Sequence, residues 1–467
     1  MPEKSRGGYL VKNTMLFAIG NMGTKLINFL LVPLYTYALS TTQFGVINTT
    51  TSICGIFIPV IMCNIGEAVR RYLLEKESDV HAIQTTEIIW FLFGIVVSGF
   101  MYVVLRQIPE MSVYAAEMSL YTLTNAFSAV ALDYLRGKEK LQMFTLCGIM
   151  QTLMITLLNL IFIVKLGLGI KGYFWSYIIA YLLCGFIAFL AGGQLNDIRN
   201  MRFEKHLFSE MSKFSLMLVP NNIMWWITNS SDRLMVNYIV SASVNGVYSV
   251  AYKIPNIMST MSTILMQAWQ HSAIREIDSE DRVEYNNQMY RVYMAGVFVV
   301  GAGLLLINRP FIQIYVAPEY RSAWIYSPFL IVSTIFTTLS TFVGTSYYVE
   351  KDMKGNLNSA VVGAVSNTLL NLLLIPLAGA LGAAIATCVS YVLVFVYRVK
   401  DTQKYLILDA YSPLFKKQVA TIILMLAGSY ITSLLGYVLM TVCFAWIIWL
   451  NREFVLEVAS KIIKKVK

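Results

Sequence analysis

The sequence predicts an all-α polytopic membrane protein with about fourteen transmembrane helices of roughly 20 residues each, arranged as two pseudo-symmetric six-helix bundles and two additional helices. The first observation is composition: 57% of the 467 residues are hydrophobic, 13% are charged, and the mean hydropathy is +0.62. These values exclude an ordinary water-soluble domain. The second observation is a succession of apolar stretches along the chain, and the third is a repeat between its two halves.

Each apolar stretch is long enough for a helix across a hydrocarbon core of about 30 Å. A final tract at 418–450 would run about 50 Å as one straight helix, so we expect two short helices that turn near Gly436. The first stretch has the basic start of a signal peptide, but its length favours a transmembrane helix. Before the final tract, the stretches lie near residues 14–38, 44–66, 88–105, 113–132, 143–164, 172–192, 214–239, 247–269, 292–308, 323–348, 357–376 and 380–397.

Basic residues are concentrated in every second connection between these stretches, for example at Arg398, Lys400 and Lys404. The positive-inside rule then places both termini in the cytoplasm. The net charge of +10 is explained by this concentration of basic residues on one side of the membrane, where they contact anionic lipid headgroups. We therefore expect the lipid bilayer as a partner and no nucleic acid.

Residues that could support chemistry are scarce. The six cysteines lie in apolar segments without CxxC spacing, and the three histidines have no ligand partners at metal spacing. No phosphate-loop motif and no nucleophile–base constellation occur. We expect no cofactor, no metal and no catalytic residues, and hence a protein that is not an enzyme.

Two short segments recur in the same order in both halves. Leu39–Val46 matches Val240–Val247, and Asn159–Gly167 matches Asn371–Gly379. Each offset spans six predicted helices, an even number, so both bundles enter the membrane in the same sense, as in parallel-repeat transporters. The predicted domains are an N-terminal bundle at 1–192, a cytoplasmic linker at 193–213, a C-terminal bundle at 214–400, and two helices with a basic tail at 401–467.

Polar residues form helical stripes within three predicted spans. A lipid-facing helix would not tolerate such stripes, so we expect them to line a watery cavity between the halves. The alternative is that polar side chains join packed helices. The stripes comprise Asn21, Lys25 and Asn28 on the first helix, Asn222, Trp226, Asn229, Arg233 and Asn237 on the seventh, and Ser249, Lys253 and Asn256 on the eighth.

Three cations, Lys25, Arg233 and Lys253, lie within apolar stretches, which indicates an anionic substrate. Arg233 and Lys253 are near helix ends and could instead snorkel to the interface. Asp232 and Arg233 point about 100° apart, so Asp232 could form an ion pair with Lys253 while Arg233 faces the cavity. Trp226 could stack on a sugar or simply pack.

Charged residues at the inner ends of two helices have the spacing of helix neighbours. Glu67 precedes Arg70 by three residues, and Asp133 precedes Arg136 by three. Together with Arg71, the first pair predicts a cytoplasmic gate or an anchoring contact rather than a proton carrier.

Residues 219–255 (VPNNIMWWITNSSDRLMVNYIVSASVNGVYSVAYKIP) resemble the polysaccharide-transporter branch of the MATE-like MOP superfamily, the Wzx-type flippases. Leu31–Asn48, Ala317–Ser333 and Asn371–Tyr391 are similar to the same family. The resemblance implies two six-helix bundles that open alternately to either side. It also implies a polyprenyl-diphosphate-linked oligosaccharide as passenger, held by a cationic cavity that maps onto Lys25, Arg233 and Lys253.

That resemblance further implies a role in assembling O-antigen, capsule or exopolysaccharide, with a polymerase and chain-length machinery as partners. Two alternatives remain. A MATE-type cation-coupled multidrug exporter shares the fold but would bind cations through intramembrane carboxylates. A membrane-embedded polysaccharide polymerase or ligase would carry a sizeable external catalytic loop, whereas the external connections here are short and poor in charge.

Overall fold

The computed structural model describes residues 27, 29–75, 78–275, 279–456 and 460, so that Asn21, Lys25 and Asn28 lie outside the described residues. Throughout the described part the regular elements are helices, without strands, which confirms the all-α prediction. The chain divides into two compact units, Met1–Trp226 and Ile227–Lys467.

The first unit is built around one central helix. Its helices are α1 (Phe29–Ala38), α2 (Thr41–Ile61), α3 (Ile65–Leu73), α4 (Val80–Arg106), α5 (Pro109–Ser112), α6 (Ala115–Gly137), α7 (Leu141–Asn159) continued by a π-helical turn (Leu160–Lys165), α8 (Gly169–Gly192), α9 (Gln194–Ile198) and the start of α10 (Lys205–Ile239). Helix α6 packs against α2, α3, α4 and α8. Ile61, Ile65, Val69 and Tyr134 are buried together in this core.

The predicted linker is anchored to the first unit at its start. The side-chain amide of Gln194 donates to Glu87 Oε1 at 2.8 Å, and the Tyr134 hydroxyl donates to Asp197 Oδ2 at 2.5 Å. Gln194 is fully buried. Residues 194–197 therefore belong to the packing of α4 and α6 rather than to a free connection.

The second unit contains the end of α10 and the remaining helices. These are α11 (Ala242–Ala251), α12 (Lys253–Arg275), α13 (Arg282–Tyr315), a 3₁₀ segment (Pro318–Ile325), α14 (Ser327–Val349), α15 (Met353–Thr402), α16 (Pro413–Gly428) and α17 (Leu434–Leu450). The continuous range of α15 contains a break at Gly379, whose φ of 58° and ψ of −140° are not helical. The break separates the two spans that the sequence predicts at 357–376 and 380–397.

Both sequence repeats have a local structural reason. Ser40 and Ser241 are the N-caps of α2 and α11, where their hydroxyls accept from the backbone N–H three residues ahead. Gly167 and Gly379 both have positive φ, a conformation that disfavours residues with a Cβ. The repeats thus mark a helix start and a backbone turn that occur once in each half.

Seven described helices are long and apolar enough to cross a membrane, and two shorter apolar helices, α1 and α17, accompany them. The protein is therefore a multi-pass membrane protein. Helices α10 and α12 fall outside the seven; both carry the polar stripes seen in the sequence, which lower their hydropathy. The count of about fourteen spans stays a prediction.

Two helix boundaries differ from the sequence expectation. The C-terminal tract does form two helices, but the turn lies at 429–433 and Gly436 is already inside α17. A Cβ at Gly436 would lie 2.1 Å from the Ile431 carbonyl oxygen, so this glycine permits the close approach that follows the turn. The predicted span 247–269 is broken at Tyr252, three residues before Pro255, which cannot donate to the carbonyl four residues earlier.

Asp352 caps α15 and is the basis of a pH-dependent prediction. It accepts from the Gly355 backbone N–H at 2.9 Å, the Tyr405 hydroxyl at 2.9 Å and Lys404 Nζ at 3.3 Å. The Gly355 N–H above all, helped by Tyr405 and Lys404, holds the pKa of this carboxyl below its usual value. Because that pKa is lowered in the folded state, the stabilisation is present at neutral pH and disappears in acid.

We expect Asp352→Ala to lower the free energy of unfolding by about 1 kcal/mol at pH 7. The difference from wild type should shrink below about pH 4, as melting curves of the detergent-purified protein would show. Asp281→Ala is the matched control, because Asp281 occupies the N-cap position of α13 without a side-chain capping bond. An equal loss at pH 3 and pH 7 would contradict this account.

Candidate functional site

The centre of the candidate site is Asp232, a fully buried carboxylate on α10. Its Oδ2 accepts hydrogen bonds from the hydroxyls of Tyr248 at 2.7 Å, Thr387 at 3.3 Å and Tyr252. Its Oδ1 accepts from the Arg233 backbone N–H at 2.8 Å. Among the described residues, four donors thus satisfy this carboxylate, and none of them is a cationic side chain.

The network continues from Asp232 into α15. Asn367 donates to Thr387 Oγ1 at 3.4 Å, and its own Oδ1 accepts from Asn371 at 2.9 Å and from Ser231 at 3.4 Å. Asn367 and Asn371 are fully buried. Since Thr387 and Asn367 lie on opposite sides of the Gly379 break, the network ties α10 to both segments of α15.

Arg233 and Lys253 lie beside this network, and both are half-buried. The Arg233 guanidinium stacks 4.6 Å from the centre of the Tyr252 ring, a cation–π contact that orients it. Its Nε is buried and makes no hydrogen bond within the described part of the chain. The charges of Arg233 and Lys253 are close enough to repel one another, so an anion between them would relieve that repulsion.

The structure does not form the ion pair considered between Asp232 and Lys253. Within the ranges described, the hydroxyls of Tyr248, Tyr252 and Thr387 occupy the carboxylate instead. Sequence reasoning missed these donors. The signal for two of them was present, because Tyr248 and Tyr252 are four residues apart and share one face of the chain that follows Asp232.

The remaining stripe residues divide between packing and exposure. Ser249 is buried and Asn237 half-buried, and an oxygen of each has no partner in the described chain. Asn229 is exposed, with Oδ1 accepting from the Tyr391 hydroxyl. Asn222 and Asn256 are also exposed. These two keep their amides available to a ligand.

Trp226 packs rather than presenting a free indole edge. Its Nε1 donates to the Ser52 carbonyl oxygen at 2.9 Å, and a Cβ at Gly55 would lie only 2.9 Å from the same nitrogen. The missing side chain of Gly55 leaves the space that the indole occupies on α2. Stacking of Trp226 on a sugar, which would use the ring face rather than this nitrogen, stays a prediction.

Four charged residues, among them the predicted gate residues Glu67 and Arg70, form one network in the first unit. Arg70 pairs with Glu67 and also contacts Asp133 Oδ1 at 3.5 Å, while Arg136 contacts the same oxygen at 3.2 Å. Both pairs indicated by the three-residue spacing are present, and Arg70 joins them across α3 and α6. Arg71 is exposed outside this network. A role in gating stays a prediction.

Comparison with known proteins identifies the family. Residues 10–269 match the family described as "Polysaccharide biosynthesis protein". The probable flippase AglR of Haloferax volcanii is 23% identical over 299 residues, which cover 60% of this chain and 59% of that protein.

Two solved structures share the fold. The lipid II flippase MurJ in an inward closed conformation has a TM-score of 0.70 and 13% identity, covering 97% of this chain and 100% of that one. An inward-facing multidrug resistance MATE transporter of the MOP superfamily has a TM-score of 0.68 and 13% identity, covering 83% and 98%. The relative and the two solved structures named here are flippases or transporters rather than enzymes. The chain belongs to the polysaccharide biosynthesis protein family and has the fold of the MOP superfamily.

Proposed function

We propose that this protein is a flippase that moves a polyprenyl-diphosphate-linked oligosaccharide, the repeat unit of a polysaccharide, across the membrane by alternating access. The passenger would enter from the cytoplasmic leaflet of a bacterial inner membrane, with both termini of the protein in the cytoplasm. A polymerase and chain-length machinery would use the product on the other side. The family match and the flippase relative support this proposal.

The observation that carries the proposal is the charge of Arg233 and Lys253, for which the described residues supply no ion-pair partner. Asp232, the acid nearest in sequence, is already satisfied by hydroxyl and backbone donors. A diphosphate offers oxygens that a guanidinium binds in bidentate fashion and an ammonium binds as a point charge. Lys25 stays a predicted third cation.

The same charge balance disfavours a cation exporter. Among the described residues, the buried carboxylate of Asp232 is held by hydroxyls and that of Glu87 by the Gln194 amide. A cationic drug that bound Asp232 would have to displace its donors and approach Arg233 and Lys253.

The deciding experiment is depletion of the protein in its native strain, followed by measurement of lipid-linked sugars on the cytoplasmic leaflet. We expect accumulation that the wild-type gene reverses. Arg233→Gln and Lys253→Gln should each reduce clearance at least tenfold, because a charge-assisted hydrogen bond contributes about 1.5–3 kcal/mol.

Arg321→Gln is the matched control, because Arg321 is an exposed cation of the same unit and should be neutral to exchange. The absence of accumulation, together with new drug sensitivity, would reject the flippase in favour of an exporter.

A further inference from the structure

The second unit also contains a polar cavity whose lining residues are separate from those of the cationic site. A cavity of about 240 Å³ lies between α12 and α14. Seven of its eight lining residues are uncharged and polar, and the eighth is Met266. The polar residues are Ser259, Ser262, Thr263, Gln270, Thr337, Thr338 and Thr341.

Three hydroxyls of this wall are oriented by their own helices, while Ser262 Oγ pairs with the Tyr293 hydroxyl of α13 at 2.6 Å. Thr263 donates to the Ser259 carbonyl oxygen at 2.8 Å, Thr337 to Ser333 at 2.8 Å, and Thr341 to Thr337 at 2.9 Å. Each hydroxyl proton is therefore used, while the oxygen retains a lone pair that can accept from a ligand. Gln270 adds an amide that can both donate and accept.

The chemistry of the lining selects a class of ligand. Drug-sized apolar molecules bind in pockets lined mainly by apolar and aromatic side chains. A bound Ca²⁺ or Mg²⁺ would require carboxylate ligands, and an anion would require cationic or backbone N–H donors. This wall offers none of these side-chain charges, but it matches the repeated hydroxyls of a sugar. Its volume equals about eight waters at roughly 30 Å³ each, which suits a single sugar ring.

The position of the cavity on α12 relates it to the cationic site. Lys253 is the first residue of α12, and Ser259 and Gln270 follow six and seventeen residues later. At about 1.5 Å per residue, the polar wall extends from about 9 to about 25 Å beyond Lys253 along the helix axis. Measured along the axis alone, this wall lies within reach of the first sugars of a passenger whose diphosphate is held at Lys253.

We propose that the cavity between α12 and α14 is a subsite that binds an uncharged sugar residue of the passenger through hydroxyl hydrogen bonds. This proposal rests on the proposed flippase function, since it assigns the sugar portion of the same substrate.

The test uses a triple variant, Thr263→Val, Thr337→Val and Thr341→Val, which keeps the shape of the wall and removes its hydroxyls. Ser259→Phe, which fills the cavity, is a second variant. Thr441→Val is the matched control, because Thr441 makes the same bond to its own helix at 2.8 Å but lies on α17, outside the lining of this cavity. Clearance of lipid-linked oligosaccharide is measured in the depleted strain, and binding of farnesyl diphosphate, a probe without sugar, is measured on the purified proteins.

We expect clearance to fall at least tenfold in the triple variant, with its farnesyl diphosphate affinity and melting temperature unchanged. If both cavity variants clear the lipid-linked oligosaccharide like wild type while Arg233→Gln is impaired, the proposed sugar subsite is wrong and the proposed flippase function still stands. An equal loss of farnesyl diphosphate binding would also overturn it, because the defect would then not be specific to sugar. If depletion causes no accumulation at all, the flippase and the subsite fall together.

Discussion

Replacing Asp232 with alanine is expected to destabilise the second unit by about 3 kcal/mol or more, because each buried polar group left without its partner costs about 1–3 kcal/mol. Tyr248 and Tyr252 would lose their common acceptor, and the fully buried Tyr248 has no water to replace it. The link from α10 to Thr387 would also be lost. Melting curves of the detergent-purified protein measure the effect.

Three companion variants define the cause. Asp232→Asn keeps an acceptor oxygen and should lose less stability than Asp232→Ala. Asp409→Ala removes an exposed carboxylate and should leave melting unchanged. Lys253→Gln should also melt like wild type, since Lys253 takes no part in the Asp232 network. The same variant should impair transport. If Lys253→Gln proved as unstable as Asp232→Ala, the hydroxyl-satisfied carboxylate would be the wrong description.

Arg398→Gln is expected to be comparably severe, with a loss of about 3 kcal/mol or more, because each buried acceptor left without its donor costs about 1–3 kcal/mol. This arginine is 4% exposed and donates to Ser359 Oγ at 3.0 Å, the Ser340 carbonyl oxygen at 3.0 Å and Asn356 Oδ1 at 3.2 Å. It thereby joins α14 to the α15 segments on both sides of Gly379. A lysine cannot reproduce three bonds from one planar group, so Arg398→Lys should recover little.

Two comparisons test that interpretation. Lys400→Gln changes an exposed cation two residues away and should not alter the melting temperature. Gly344→Ala should imitate Arg398→Gln, because a Cβ there would lie 2.3 Å from Arg398 Nη1. Normal melting of both Arg398→Gln and Gly344→Ala would show that the arginine is not a structural clamp.

Much of the fold was predictable because its determinants are local in sequence. Hydropathy and span length indicate the helices, and the repeated Ser40 and Ser241 correspond to caps that act within three residues. The break at Gly379 follows the same logic, since it requires a positive φ. The sequence does not locate the turn at 429–433, because Gly436 has the residue type of a turn apex but lies inside α17, where it permits close approach of the Ile431 carbonyl oxygen.

The site was predictable only in part because its partners are distant. The sequence alone indicates that the side chains of Asp232 and Arg233 point in different directions on one helix. It also shows that Arg233 and Lys253 are cations within apolar stretches. The donor Thr387, however, lies 155 residues from Asp232 and reaches it only through the packing of α15. Arg398 was read as one of the basic residues of a connection, but the helix continues past it to Thr402 and buries it.

The burial of all six native cysteines has a practical consequence for labelling chemistry. A thiol that is shielded by protein reacts poorly with a polar maleimide. A single cysteine introduced at the exposed position of Asn222 or Asn256 would therefore stand out against the native background without first removing the other thiols. Polar maleimides applied from one side of the membrane or the other would then show from which side the introduced cysteine on α10 or α12 is accessible. The native cysteines could stay in place.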